Sequence, residues 1–212
     1  MSCIGASLNL NRKIMKYIIL TLFLLILTVV ISQVIVANNT GDTGKIPYET
    51  LERFEGFEIR KYPELTVAST QLPEGSYSEN SRLGFRRIAS YIFGGNKSNT
   101  QIAMTSPVQM DMGDNSSMRF FMPPNMDIED LPLPNNSNVS IQNQPSSTVA
   151  VIQFSGWASD KVLEKKLNEL RLLLRAQNIE FEDDYAYLGY NPPYELINRL
   201  NEVVIKLKNY EN

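Results

Sequence analysis

Residues 78–93 read SENSRLGFRRIASYIF and run directly into Gly94-Gly95. Phe85, Ile88, Ala89 and Ile92 fall at i, i+3, i+4 and i+7, which is one face of a helix. The glycine pair ends it, because glycine takes the left-handed conformation of a helix C-terminus without steric cost. Arg82, Arg86 and Ser90 form a second stripe at i, i+4 and i+8, beside the apolar one. What makes this helix decisive is its flanks. Before it, residues 57–62 (FEIRKY) alternate apolar and charged, as a half-buried strand does, and residues 65–72 form a second strand after the Pro63 break. After it, residues 102–112 and 118–122 read as strands, the second stopped by Pro123-Pro124.

The same order then recurs. Residues 139–141 and 149–154 are strands. A helix begins near Ser159, whose hydroxyl suits an N-cap, with Asp160 favourable in the first turn. Its core face is Leu163, Leu167, Leu170 and Leu174, and residues 185–190 and 202–207 close the pattern as strands. The Pro- and Asn-rich residues 125–138 are the loop between the halves. Two ββαββ units predict an α+β fold, an antiparallel sheet or distorted β-barrel with two packed helices. Neither unit alone can bury its helix, and the crevice where the two meet is the expected ligand site.

Composition narrows what that site can do. The chain has no histidine, so it has no imidazole base or metal ligand and no Ser-His-Asp triad. Its one cysteine, Cys3, precedes the apolar segment, which leaves residues 46–208 without a disulfide, a thiolate or a Cys-based metal site. The net charge is −3; Arg12, Lys13 and Lys16 lie before Ala37 with no acid, so the remainder holds 17 basic and 23 acidic residues, or −6. Without a basic footprint, nucleic acid is not the expected partner.

Residues 17–37 (YIILTLFLLILTVVISQVIVA) carry no charge and follow the basic lead of residues 1–16. At about 1.5 Å per residue they reach roughly 30 Å, the thickness of a bilayer core. A membrane anchor with its basic flank in the cytoplasm and a signal peptide cleaved near Ala37 are the two readings. Both place the folded part, residues 46–208, outside the cytoplasm, either membrane-anchored or secreted. Residues 38–45 (NNTGDTGK) are a polar tether.

Five strings occur in order: residues 91–96 (YIFGGN), 102–108 (IAMTSPV), 119–123 (RFFMP), 154–156 (FSG) with Trp157, and 190–193 (YNPP) followed by Asn201-Glu202-Val203. With residues 47–62 (PYETLERFEGFEIRKY) they resemble the SOUL heme-binding protein family over about residues 47–207. The resemblance implies a fold similar to the effector-binding domains of some bacterial regulators. It also implies reversible binding of a heme or other porphyrin, without a reaction, in a cleft along the first helix and the YNPP loop. Heme has apolar faces and two carboxylates, so Arg82, Phe85 and Arg86 suit it, with Tyr190 and Pro193 as an aromatic, stiff wall. For each there is a plainer reading: the arginines as solvated helix surface, the YNPP string as a turn.

Some members of the family have been proposed to ligate iron through histidine. Here any ligand must be methionine, tyrosine or none. Met104, Met110 and Met112 are candidates, although methionine on a strand is usually core. Face and edge contacts then predict modest affinity and tolerance of metal-free porphyrins.

Two other functions stay open. One is a general binder of apolar drug-like molecules, with Glu195 or Glu202 as a buried carboxylate for cations. The other is a carboxylate-dependent hydrolase pairing Glu202 with Tyr190. An envelope interaction module with an empty cleft is a further possibility. The acidic residues 182–184 read as a solvated loop and Gly94-Gly95 as a helix cap, so no metal site and no catalytic residue is assigned.

Overall fold

The computed structural model describes residues 15–32, 46–113, 115–124, 126–192 and 195–210. The tether at 38–45, most of the basic lead and Pro193 lie outside the described residues. Helix α1 (Met15–Ser32) has a mean hydropathy of 2.4, enough in length and apolarity to cross a membrane, and buries none of that stretch against the rest of the chain. A signal sequence has the same character.

The remaining elements follow the duplicated order. Strands β1 (Glu49–Phe54), β2 (Phe57–Tyr62) and β3 (Leu65–Gln71) precede helix α2 (Tyr77–Ile92), then β4 (Val108–Met112) and β5 (Ser117–Phe121). The second half is β6 (Val139–Gln144), β7 (Ser147–Ser155), α3 (Asp160–Ala176), β8 (Phe181–Gly189) and β9 (Leu200–Leu207). All strands join one antiparallel sheet in the order β1-β2-β7-β9-β8-β4-β5-β3-β6.

Each half supplies three contiguous strands, β4-β5-β3 and β7-β9-β8, and these meet at the β4–β8 pair. Strand β1 is an added edge strand on β2, outside the repeat, and the first strand of each ββαββ unit crosses over: β2 pairs with β7, and β6 pairs with β3. The sheet is open, so the barrel expectation is corrected to a sheet. Its edge strand β1 exposes Glu49, Glu52 and Arg53, and charge along an edge opposes further pairing.

Two other expectations change. Residues 102–107 are not strand; the ladder starts at Val108, after Pro107, which has no N–H to give it. Residues 182–184 lie within β8 and not in a loop before it, with Glu182 paired to Lys206 at 3.3 Å.

Both helices pack on the same face of the sheet. In α3, Ser159 caps the N-terminus and Leu163, Leu167, Leu170 and Leu174 are buried, each contributing about 1.5–3 kcal/mol of transfer free energy. In α2, Ser76 and Glu79 form a reciprocal capping box. Ile88, Ala89 and Ile92 are buried, but Phe85 is only half-buried, against Phe120. At Gly84 the helix comes close to the sheet: a Cβ there would lie 3.0 Å from Met118 Cβ. This close approach brings the neighbouring Phe85 ring within 5.6 Å of that of Phe120 on β5.

Candidate functional site

A cavity of about 690 Å³ opens between α2, the irregular residues preceding β4, and the segment joining β8 to β9. Its size is that of a small-molecule pocket. Helix α2 supplies Tyr77, Ser81, Arg82, Phe85 and Arg86, because these positions lie on the flank of the stripe that packs on the sheet. The chain before β4 supplies Met104, Thr105 and Ser106, and the sheet supplies Val108, Met110, Met118, Tyr187 and Gly189. Trp157, Ala158, Tyr190, Asn191, Pro192 and Arg199 complete the wall. The described lining contains no Asp or Glu; its charged members are three arginines.

The polar groups are mostly tied down. Tyr187 Oη donates to Asn201 Oδ1 at 2.8 Å, and its ring meets that of Tyr77 edge-on at 5.0 Å. Burial raises the pKa of both phenols above the ordinary tyrosine value, with the charge of Arg199 acting in the opposite direction. Tyr190 Oη donates to Glu202 Oε2 at 2.8 Å. Glu202 is buried, and its other oxygen takes Arg60 Nη1 at 2.9 Å and Gln153 Nε2 at 2.9 Å. Burial, then the neighbouring carboxylate, push the Tyr190 phenol upward. A phenol held protonated beside a carboxylate already paired to arginine is poorly suited to proton abstraction.

Of the residues expected from sequence, Arg82, Phe85, Arg86 and Tyr190 line this one cavity, and Pro193 lies outside the described residues. Arg82 and Arg86 are exposed at its rim. Met104 and Met110 reach the cavity wall, whereas Met112 does not; Met118, unremarked in the sequence, does. Glu202 and Glu195 are buried outside the lining, so neither serves as the cavity's carboxylate.

Sequence reading missed Tyr77, Tyr187, Trp157 and Arg199. Trp157 follows the FSG string and Arg199 stands just before Asn201-Glu202, so both lay beside quoted motifs. Nothing in their spacing showed that they meet. Arg199 is 9% exposed, with its Cζ 4.1 Å from the centre of the half-exposed Trp157 ring.

Comparison with known proteins places this geometry. The SOUL heme-binding protein family model matches residues 43–206. Human heme-binding protein 2 is 30% identical over 174 residues, covering 78% of this chain and 84% of that protein. Heme-binding protein 1 of Xenopus laevis is 28% identical over 158 residues, covering 69% of this chain and 81% of its own. Among solved structures, the EcmrR C-terminal domain aligns with a TM-score of 0.56 at 12% identity, over 77% of this chain and 99% of that domain. A hydrolase from Listeria innocua aligns with a TM-score of 0.51 at 8% identity, over 72% of this chain and 91% of its own. At those identities the structural matches speak for the fold alone. The family match covers most of the chain and the whole of the cavity-bearing region: the chain belongs to the SOUL heme-binding protein family.

Proposed function

We propose that the cavity binds tetrapyrroles reversibly, holding the ring by its faces and carboxylate edge without a strong iron ligand. The observation that carries this reading is a large cavity whose lining is mainly apolar and aromatic and whose described charges are all arginines. Phe85, Met104, Val108, Met118 and Tyr190 offer surface to a flat conjugated ring, and the arginines offer partners for its carboxylates. Heme-binding relatives support the same ligand class.

A bound heme would supply a flat apolar ring, two carboxylates and a metal centre. The chain has no histidine, and the tyrosines of the wall have hydroxyls engaged or held protonated. The sulfurs of Met104, Met110 and Met118 are the remaining candidates; Met110 and Met118 are packed in the core, and Met104 is exposed at the cavity wall. Affinity therefore rests on ring burial and carboxylate pairing. The lack of an acid among the described lining residues argues against a preference for apolar cations, and the commitment of Glu202 to Arg60 argues against the Glu202–Tyr190 hydrolase.

Helix α1 favours action at or beyond a membrane, as an anchored or exported binding protein that carries or buffers the ligand. The test is a titration of the purified full chain in detergent with hemin and with metal-free protoporphyrin. Both should give a saturable Soret shift, with affinities within about tenfold (1.4 kcal/mol) of each other. The absence of a saturable shift at micromolar concentration would overturn the reading. A much stronger hemin complex would show that iron ligation dominates.

A further inference from the structure

Three arginines line the cavity, and their surroundings differ. Arg82 and Arg86 are exposed on α2, where water screens any partner. Arg199 is only 9% exposed, and it has no carboxylate within ion-pair distance among the described residues. The other deeply buried arginine is treated differently. Arg60 is 0% exposed and sits between Glu58 and Glu202, the latter at 2.9 Å. A cation withdrawn from water is costly unless paired, so the missing acid at Arg199 needs an explanation.

Its bonding pattern supplies one. Nη1 donates to the carbonyls of Pro192 at 2.9 Å and Glu195 at 2.7 Å, and Nη2 donates to the carbonyl of Asn191 at 3.2 Å. These contacts fix the backbone that follows β8, and Trp157 covers one face of the guanidinium. A guanidinium has five N–H donors. Three are used among the described residues, and the buried Nε has no partner among them. Besides the enclosed Nε, one donor on Nη2 remains, enough for a charge-assisted bond to a carboxylate oxygen. The residue lines the cavity, beside Tyr77 and Tyr187.

We infer that Arg199 is the carboxylate-recognising residue of this cavity, pairing through its charge and its remaining Nη2 donor with an acid group carried by the apolar ligand. This rests on the tetrapyrrole reading above and sharpens it: the carboxylate edge of the ring is directed to the β8–β9 segment, and the α2 arginines add only a screened attraction. Neutral hydrogen bonds to three carbonyls orient the guanidinium without cancelling its charge, so the ligand's carboxylate supplies the absent counter-ion. A charge-assisted pair at a desolvated site outweighs exposed pairs at the rim.

The test compares protoporphyrin with its dimethyl ester on the full chain in detergent, read by the Soret shift and by quenching of Trp157, the chain's only tryptophan. The wild type should prefer the free acid by roughly 10- to 100-fold, the range expected for a hydrogen-bonded charge pair. Arg199→Gln should abolish most of that preference, weakening free-acid binding at least fivefold more than ester binding. The double variant Arg82→Ala, Arg86→Ala should keep the preference to within about fivefold, because exposed pairs contribute little.

Equal loss for both porphyrins in Arg199→Gln would show that Arg199 only fastens the loop, and would overturn the assignment. Should that variant fail to fold, the α2 double variant decides alone: a retained preference supports Arg199, and a lost one overturns it. Equal wild-type binding of acid and ester overturns the assignment while leaving the tetrapyrrole reading intact. Binding of neither overturns both.

Discussion

Arg60, Glu202 and Tyr190 join the cavity wall to a buried ion pair. Burial is the largest influence on Arg60 and works against its charge, but Glu202, Tyr62 and Glu58 together outweigh it and the guanidinium is held firmly ionised. Glu58 flanks the other side, and Tyr48 lies under the guanidinium at 4.1 Å. Removing one member leaves a buried charge with too few partners, so Glu202→Gln should cost about 3 kcal/mol. In a chain of this size that lowers Tm by roughly 6–12 °C, readable by thermal unfolding. Tyr190→Phe removes only the donor to Glu202 Oε2. It should cost about 1–2 kcal/mol and leave porphyrin affinity nearly unchanged, since the ring still walls the cavity. A large loss of affinity in that variant would mean that the hydroxyl itself meets the ligand. Sequence made some of these residues visible and hid others. Arg82, Phe85 and Arg86 were legible because helical spacing is local. Arg60 looked like any outward charge of an alternating strand, and its burial depends on Glu202, which only the fold brings near.

At the scale of elements, the N-termini of α2 and α3 are tied together. The Asp160 carboxylate accepts from the Ser78 hydroxyl, and from the Ser78 backbone N–H at 3.3 Å, so each half of the chain fixes the helix of the other. These bonds hold the Asp160 carboxyl below its ordinary value, chiefly through the Ser78 hydroxyl, and the Ser76 backbone N–H likewise lowers Glu79. A carboxylate whose pKa is lower in the folded state stabilises the fold above its unfolded pKa, and that contribution fades as pH falls through the folded one. Asp160→Asn should therefore be less stable than the wild type near neutrality, by no more than about 1 kcal/mol for so solvated a group. The gap should close as pH drops below about 4. Urea unfolding of both proteins between neutral pH and acid would show it; a gap that widens in acid would contradict it. The helices themselves were legible from apolar spacing, and the Ser159 cap from residue type. The strand expected over residues 102–112 was not, because buried Ile102 and Met110 bracket a stretch that Pro107 keeps out of the ladder.

For the molecule as a whole, duplication was legible and its connectivity was not. The order of strands and helices repeats along the chain, but nothing in the repeat shows that β2 leaves its own half to pair with β7, or that β6 pairs with β3. That depends on which edges are left bare when two units meet. The cavity was anticipated as a crevice between the halves, and it does draw residues from both: Phe85 from the first, Tyr190 and Arg199 from the second. The exchange of first strands also bears on how the chain acquires its structure. Until residues 139–155 exist, β2 and β3 each lack a neighbour, so the first half has no complete sheet to fold into and no early foothold of its own. Conversely, the strand pairing between the halves predicts that their covalent link is dispensable once both are present. Residues 1–126 and 127–212, made separately, should each fail to give a cooperative unfolding transition. Produced in one cell they should copurify and regain a single one, and independent folding of either piece would refute this. The molecule is best understood as an internal heterodimer, two complementary fragments that happen to be sewn end to end.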